Sequence, residues 1–138
     1  MDPLRFYLLV IASSIWFYPF VGPVWLYLPA MWFQTVGFLI LISPLHSIAV
    51  KNLNSDNNLK LLAALFTISL ASTLMGHIAG SLTFEMLSWP TLIPDVNVWK
   101  TVWQAVTFLY PVERIVIALN AAFLGVALRR LQGVLESK

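Results

Sequence analysis

Cysteine is absent from this chain and charge is scarce: of 138 residues, 8 are lysine or arginine and 6 are aspartate or glutamate. Without cysteine there is neither a disulfide nor a thiolate to hold a metal, and redox compartment leaves no trace in the composition. So little charge, set against 59% hydrophobic residues and a mean hydropathy of +0.83, excludes the mixed, hydrated surface of a soluble domain. Hydrated stretches are scarce as well. The one clearly polar loop is residues 51–60, where Asn52, Asn54, Ser55, Asp56, Asn57 and Asn58 lie between two lysines. Catalytic signatures are also missing: the chain holds no His-Glu-x-x-His, nucleophile elbow, phosphate loop or dinucleotide fingerprint. Its two histidines, His46 and His77, are predicted at opposite membrane faces and so cannot share a metal or a haem. No catalytic residue, metal or cofactor is expected, and neither a solenoid repeat nor a low-complexity tract occurs.

What remains is a series of apolar runs. A hydrocarbon core of roughly 30 Å takes about 20 helical residues per crossing, with backbone polar groups satisfied inside the helix. The pattern predicts an all-α, polytopic membrane helix bundle forming a single integral membrane domain over 1–138. Four crossings are expected, at 6–20, 25–50, 59–87 and 111–130, with a short interfacial or re-entrant segment at 99–110. Proline and glycine punctuate them. Pro19, Gly22 and Pro23 form a turn, Pro29 fits a first helical turn, Pro44 kinks the second crossing, and Pro90 and Pro94 follow the third. Pro111 opens the last crossing, which is expected to stop at Arg129 and Arg130. The amino-terminal run lacks a small-x-small cleavage site beside its proline-rich end, so it reads as a retained helix rather than a signal peptide.

Basic residues set the orientation. With the amino terminus inside, Arg5, Lys51, Lys60, Arg129, Arg130 and Lys138 all fall on the inner side, leaving only Lys100 and Arg114 outside. Both termini are therefore expected to be cytoplasmic, in a multi-pass protein of the cell membrane. The net charge of +2 restates this asymmetry, so the lipid bilayer is the expected partner and nucleic acid is not.

Ionisable groups in apolar segments face a protein interior or a water-filled cavity. At about 1.5 Å per residue, His77 falls in the outer half of the third crossing and Glu85 near its outer end, while Glu113 and Arg114 begin the fourth on the same side. Asn120 shares a helical face with Glu113. His77, Glu85, Glu113, Arg114 and Asn120 thus make one candidate cluster, read as helix-joining structure, as ligand-binding or, third, as a catalytic or proton-relay site. Small residues recur at four-residue spacing as Ser72, Gly76 and Gly80, and again as Ala118 and Ala122 with Gly125 nearby. Such stripes let helices approach closely, so they predict a packing face between the third and fourth crossings or a dock for a partner subunit. Trp16, Tyr18, Trp25, Tyr27 and Trp32, and then Trp89, Trp99, Trp103 and Tyr110, form two aromatic groups on the outer side. They read as interfacial belts, or as the walls of a pocket.

The stretch GHIAGSLTFEML (Gly76–Leu87), a proline-containing loop, a short apolar segment and then YPVERIVIALNAAFLGVALRRL (Tyr110–Leu131) resemble the carboxy-terminal helices of S components of energy-coupling factor transporters. That resemblance implies a membrane-embedded binder of a vitamin or other micronutrient, loaded from outside. It also implies docking on a transmembrane coupling subunit driven by paired ATPases, with His77, Glu85, Glu113 and Arg114 near the cavity. The alternative from the residues alone is a small accessory subunit of a larger membrane complex, since the chain is short, nearly loop-free and without an active-site motif.

Overall fold

Proline placement and side-chain capping account for most of the breaks between helices. The computed structural model describes residues 3–17 and 32–136, and among these it contains six helices and no strand. They are α1 (Pro3–Phe17), α2 (Trp32–Ile42), α3 (Pro44–Asn52), α4 (Asn58–Ser88), α5 (Val96–Val106) and α6 (Leu109–Glu136). The turn expected at Pro19–Pro23, Pro29, the start of the second crossing, and Tyr18, Trp25 and Tyr27 lie outside the described residues.

The loop at 51–60 starts α4 by side-chain capping. Asn57 Oδ1 accepts from the backbone N–H groups of Leu59 (2.9 Å) and Lys60 (3.1 Å), two donors that the first helical turn leaves without partners. From there α4 runs for 31 residues, about 46 Å by helical rise. It is the central post, touching α1, α2, α3 and α6. Leu70, Ala71, Leu74, Met75 and Ile78 of α4 form the middle of the core with Phe33, Ile40 and Leu41 of α2. Gly37 allows the approach: a Cβ there would lie 2.8 Å from Met75 Cε and 3.0 Å from Leu74 Cβ.

Both α4 and α6 are long and apolar enough to cross a membrane, and counting the bent pair α2 and α3 as one broken span makes three. α1, at 15 residues, spans about 22 Å.

Pro44 bends the α2–α3 pair by 69°, and several of the backbone groups freed at the break find side-chain partners. Proline has no N–H for the Ile40 carbonyl, which instead accepts from Ser43 Oγ at 3.1 Å. The Leu45 N–H turns to Ser43 Oγ (3.3 Å), and the freed Leu41 carbonyl accepts Arg5 Nε from α1 at 2.6 Å. Arg5 also reaches the Ser43 carbonyl (3.4 Å) and Ser47 Oγ (3.5 Å). Arg5, expected as a solvated inner flank, thus joins α1 to the broken helix.

α4 and α6 run antiparallel, and their seam corrects part of the predicted packing face. Ala118 and Ala122 of α6 are fully buried, and a Cβ on Gly125 would stand 2.8 Å from Leu65 Cδ1. On α4, however, the seam residues are Asn58, Leu65, Thr73 and His77, each in contact with α6. Ser72, Gly76 and Gly80 are exposed, and a Cβ on either glycine would meet nothing within 4 Å. The physical reason is register: one residue along a helix is a rotation of about 100°, which carries the 72–76–80 stripe off a seam built on 73 and 77.

Two further expectations change. α6 does not stop at Arg129 and Arg130 but continues to Glu136, because those guanidinium groups reach sideways to the α4 cap. Arg130 Nε donates to Asn58 Oδ1 and Nη2 to the Asp56 carbonyl, both at 2.7 Å, with a second bond from Nη2 to Asn58 Oδ1. Arg129 Nη2 reaches Asn54 Oδ1 at 3.5 Å. The segment expected at 99–110 is helical as α5 up to Val106, and its tryptophans are not headgroup anchors. Trp99 is fully buried and Trp103 is 6% exposed, both within the core.

Arg5→Ala leaves buried carbonyls at the α2–α3 break without a donor and is expected to lower stability by about 1–3 kcal/mol, with Arg5→Lys intermediate, in detergent thermal-shift measurements. Ala122→Leu overpacks the α4–α6 seam and should cost about 1–3 kcal/mol. Gly80→Leu, on the open face of α4, should leave the melting temperature unchanged or raised.

Candidate functional site

At the end of the bundle away from the 51–60 loop, two pairs of residues one helical turn apart face each other across the α4–α6 seam. Thr73 and His77 project from α4, and Tyr110 and Arg114 from α6. Pro111 is harmless inside this site because it falls in the first turn of α6, where its missing N–H would have had no intrahelical partner. The Tyr110 ring stands edge-on to His77, with centroids 4.1 Å apart at 76°. Arg114 Nη1 donates to Thr73 Oγ1 at 3.2 Å, one turn of α4 from His77. From α2, Gln34 Nε2 lies 3.4 Å from His77 Nδ1, with both residues 8% exposed.

A second polar centre lies about two turns further along α4. Glu85 is completely buried, and α5 covers it. Trp99 and Trp103, one turn apart and the only buried residues of α5, stack with centroids 6.4 Å apart at 28°. Phe84, next to Glu85, meets Trp99 edge-on at 5.6 Å. Asp95 begins α5 by accepting the Asn97 N–H at 2.8 Å, while Asn97, Lys100, Thr101 and Gln104 keep its other face exposed. α5 is thus an amphipathic helix laid over a buried carboxyl.

The two centres share one property. Gln34 Oε1, His77 Nε2, both Glu85 carboxyl oxygens, Trp99 Nε1 and Arg114 Nε are buried without a hydrogen-bond partner. Left so, each costs about 1–3 kcal/mol. The set includes acceptors and donors, a combination able to orient a polar molecule.

The predicted cluster is therefore divided and trimmed. His77 and Arg114 come together. Glu85 sits apart from them under α5, eight residues or about 12 Å along the helix from His77. Glu113 pairs with Arg114 at 3.4 Å, but its side chain is 45% exposed and lies at the rim. Asn120 does not join the cluster: it is exposed, and its Nδ2 donates to the Val116 carbonyl of its own helix at 3.0 Å. Glu113 and Asn120 share a face as their spacing requires, but that face points outward.

Gln34 and Thr73 were not among the candidates. Gln34 had a legible signal, as the sole amide in the apolar run WFQTVGFLILI. Thr73 had none, because only the seam register separates it from Ser72. Among the described residues no three histidine, aspartate or glutamate side chains are placed to hold a metal ion.

Comparison with protein-family models, with curated proteins and with solved structures returns no match for this chain.

Replacing the unpaired, buried Glu85 with leucine should raise the stability of the ligand-free protein by about 1–3 kcal/mol, read as an upward thermal shift in detergent. A clear drop would identify the carboxyl as structural.

Proposed function

We propose that this chain is the membrane-embedded, solute-binding subunit of a micronutrient uptake transporter, similar to the S components of energy-coupling factor systems. The observation that carries the reading is the set of buried donors and acceptors with unfilled bonding capacity, in two centres about 12 Å apart along α4. In a membrane no water substitutes for a missing partner, so a polar solute that fills several of these positions at once recovers much of their desolvation cost. Arg114 and His77 orient its polar groups, Gln34 Oε1 accepts from it, and Glu85 provides a carboxyl beneath the Trp99–Trp103 roof. In this reading α5 is the movable element, because Trp99 and Trp103 are its only buried residues. Its displacement opens the site, and its return excludes water.

In this reading the protein is multi-pass in the cell membrane, with four crossings and both termini cytoplasmic. Lys51, Lys60, Arg129 and Arg130 gather at the inner end. The substrate then enters from outside, and release inward requires a transmembrane coupling subunit with its paired ATPases. The chain itself performs no chemistry.

One observation favours a second reading, that of an accessory subunit in a larger membrane complex. The Ser72–Gly76–Gly80 stripe is open along α4, and small residues at this spacing suit close helix approach. Much of α6 is likewise uncovered, with 17% of its most apolar stretch buried against 44% for α4.

The experiment is purification of the tagged protein from its host in gentle detergent, with mass spectrometry of both the proteins and the small molecules that accompany it. A coupling subunit, ATPases and a polar metabolite in stoichiometric amount are expected. A stoichiometric set of other complex subunits with no small molecule would replace the first reading with the second. With that metabolite as ligand, His77→Ala and Arg114→Gln should each weaken binding about tenfold or more, while Asn120→Ala binds as the unaltered protein does, measured by calorimetry on folded variants.

A further inference from the structure

A groove of about 230 Å³ runs between α3 and α4 at the end of the bundle marked by the 51–60 loop, separate from the polar site. Its floor is Ala49 and Ala64, 4% and 3% exposed, and the small size of both residues is what opens the space. Leu45 and Ile48 form one wall, each about half exposed. Thr67 closes the deep end, and its hydroxyl already donates to the Ala63 carbonyl at 2.8 Å, so this end offers no free donor. At the other end stand Lys60 and Asn52. Among the described residues the Lys60 ammonium has no ion pair and no hydrogen bond. The only carboxylate of the adjoining loop, Asp56, lines a different cleft together with Arg129 and Arg130. The groove is thus apolar along its length and cationic at its mouth, beside a helix apolar enough to cross a membrane.

We propose that this groove binds one anionic glycerophospholipid. An acyl chain lies over Ala49 and Ala64, and the phosphate is held by the Lys60 ammonium and the Asn52 amide. Charge complementarity selects this occupant: at a mouth with a cation and no local carboxylate, a zwitterionic lipid sets its own headgroup cation beside Lys60 along with its phosphate, whereas an anionic headgroup brings net negative charge. The apolar length selects a lipid over a free phosphate, which would leave the rest of the groove unfilled.

The test is native mass spectrometry of the purified protein in neutral detergent, titrated with phosphatidylglycerol and phosphatidylcholine of identical acyl chains. Phosphatidylglycerol should be retained about fivefold better, and Lys60→Gln should bring the ratio close to one. Lys51→Gln, an exposed change outside the groove, should preserve the preference. Ala63→Phe, placed on the exposed edge of the groove, should reduce retention of phosphatidylglycerol at least fivefold without altering the melting temperature, and glycerol phosphate should not compete. The proposal is overturned by equal retention of the two lipids or by a preference that survives Lys60→Gln. It is equally overturned by a loss matched in Lys51→Gln, by retention unaffected in Ala63→Phe, or by competition from glycerol phosphate.

Discussion

A polar group that cannot reach water must be met by another polar group, and a chain with so few charges and so much apolar surface meets this constraint at every turn of its helices. Its simplest response is local. Ser13, Thr67, Thr83 and Asn120 each donate to the carbonyl four residues back in their own helix, and Thr107 does the same from the end of α5, which leaves them neutral bystanders. The longer-range response holds the bundle together. Ser43 and Arg5 satisfy the carbonyls released by Pro44, and Arg130 crosses 72 residues of sequence to the Asn58 amide at the start of α4. These contacts decide where helices can break and where two helix ends must meet.

Against that background the two centres, His77 with Gln34 and Arg114, and Glu85 with Trp99, are exceptional, because the same constraint is left incompletely met at each. Thr73 and Glu113 bind the guanidinium of Arg114 but leave its Nε unpaired, and Gln34 meets only one nitrogen of His77. Unfilled capacity at two centres in the same half of the bundle, one of them beside the two buried indoles of α5, is the arrangement expected where packing has been shaped around something other than the chain itself.

Several parts of this architecture were legible because they depend on neighbours in sequence. The break at Pro44, the extent of α4 and the harmless position of Pro111 follow from residue chemistry within one or two helical turns. The small-residue stripe of α6 was legible too, since alanine and glycine at one-turn spacing have the same consequence in any pairing. The other half of that seam was not. Ser72, Gly76 and Gly80 have the right spacing but face outward, and nothing in the spacing reports which side of α4 meets α6. Trp99 and Trp103 pose the same difficulty, for an indole beside a lysine suits a membrane interface as well as an interior, and only the covering of Glu85 distinguishes the two.

Composition and local pattern by themselves determined that this chain is helical, that at least two of its helices are apolar enough for a membrane, and that polar side chains would be rare and consequential. Tertiary structure decided which polar side chains count. His77 and Arg114 meet because α4 and α6 run antiparallel in one register, Gln34 joins them from α2, and Asn120 is excluded by the direction its helical face points. Helical periodicity constrains which residues share a face; the rotation of one helix against another is set by how their side chains interlock, and that belongs to the pair rather than to either sequence.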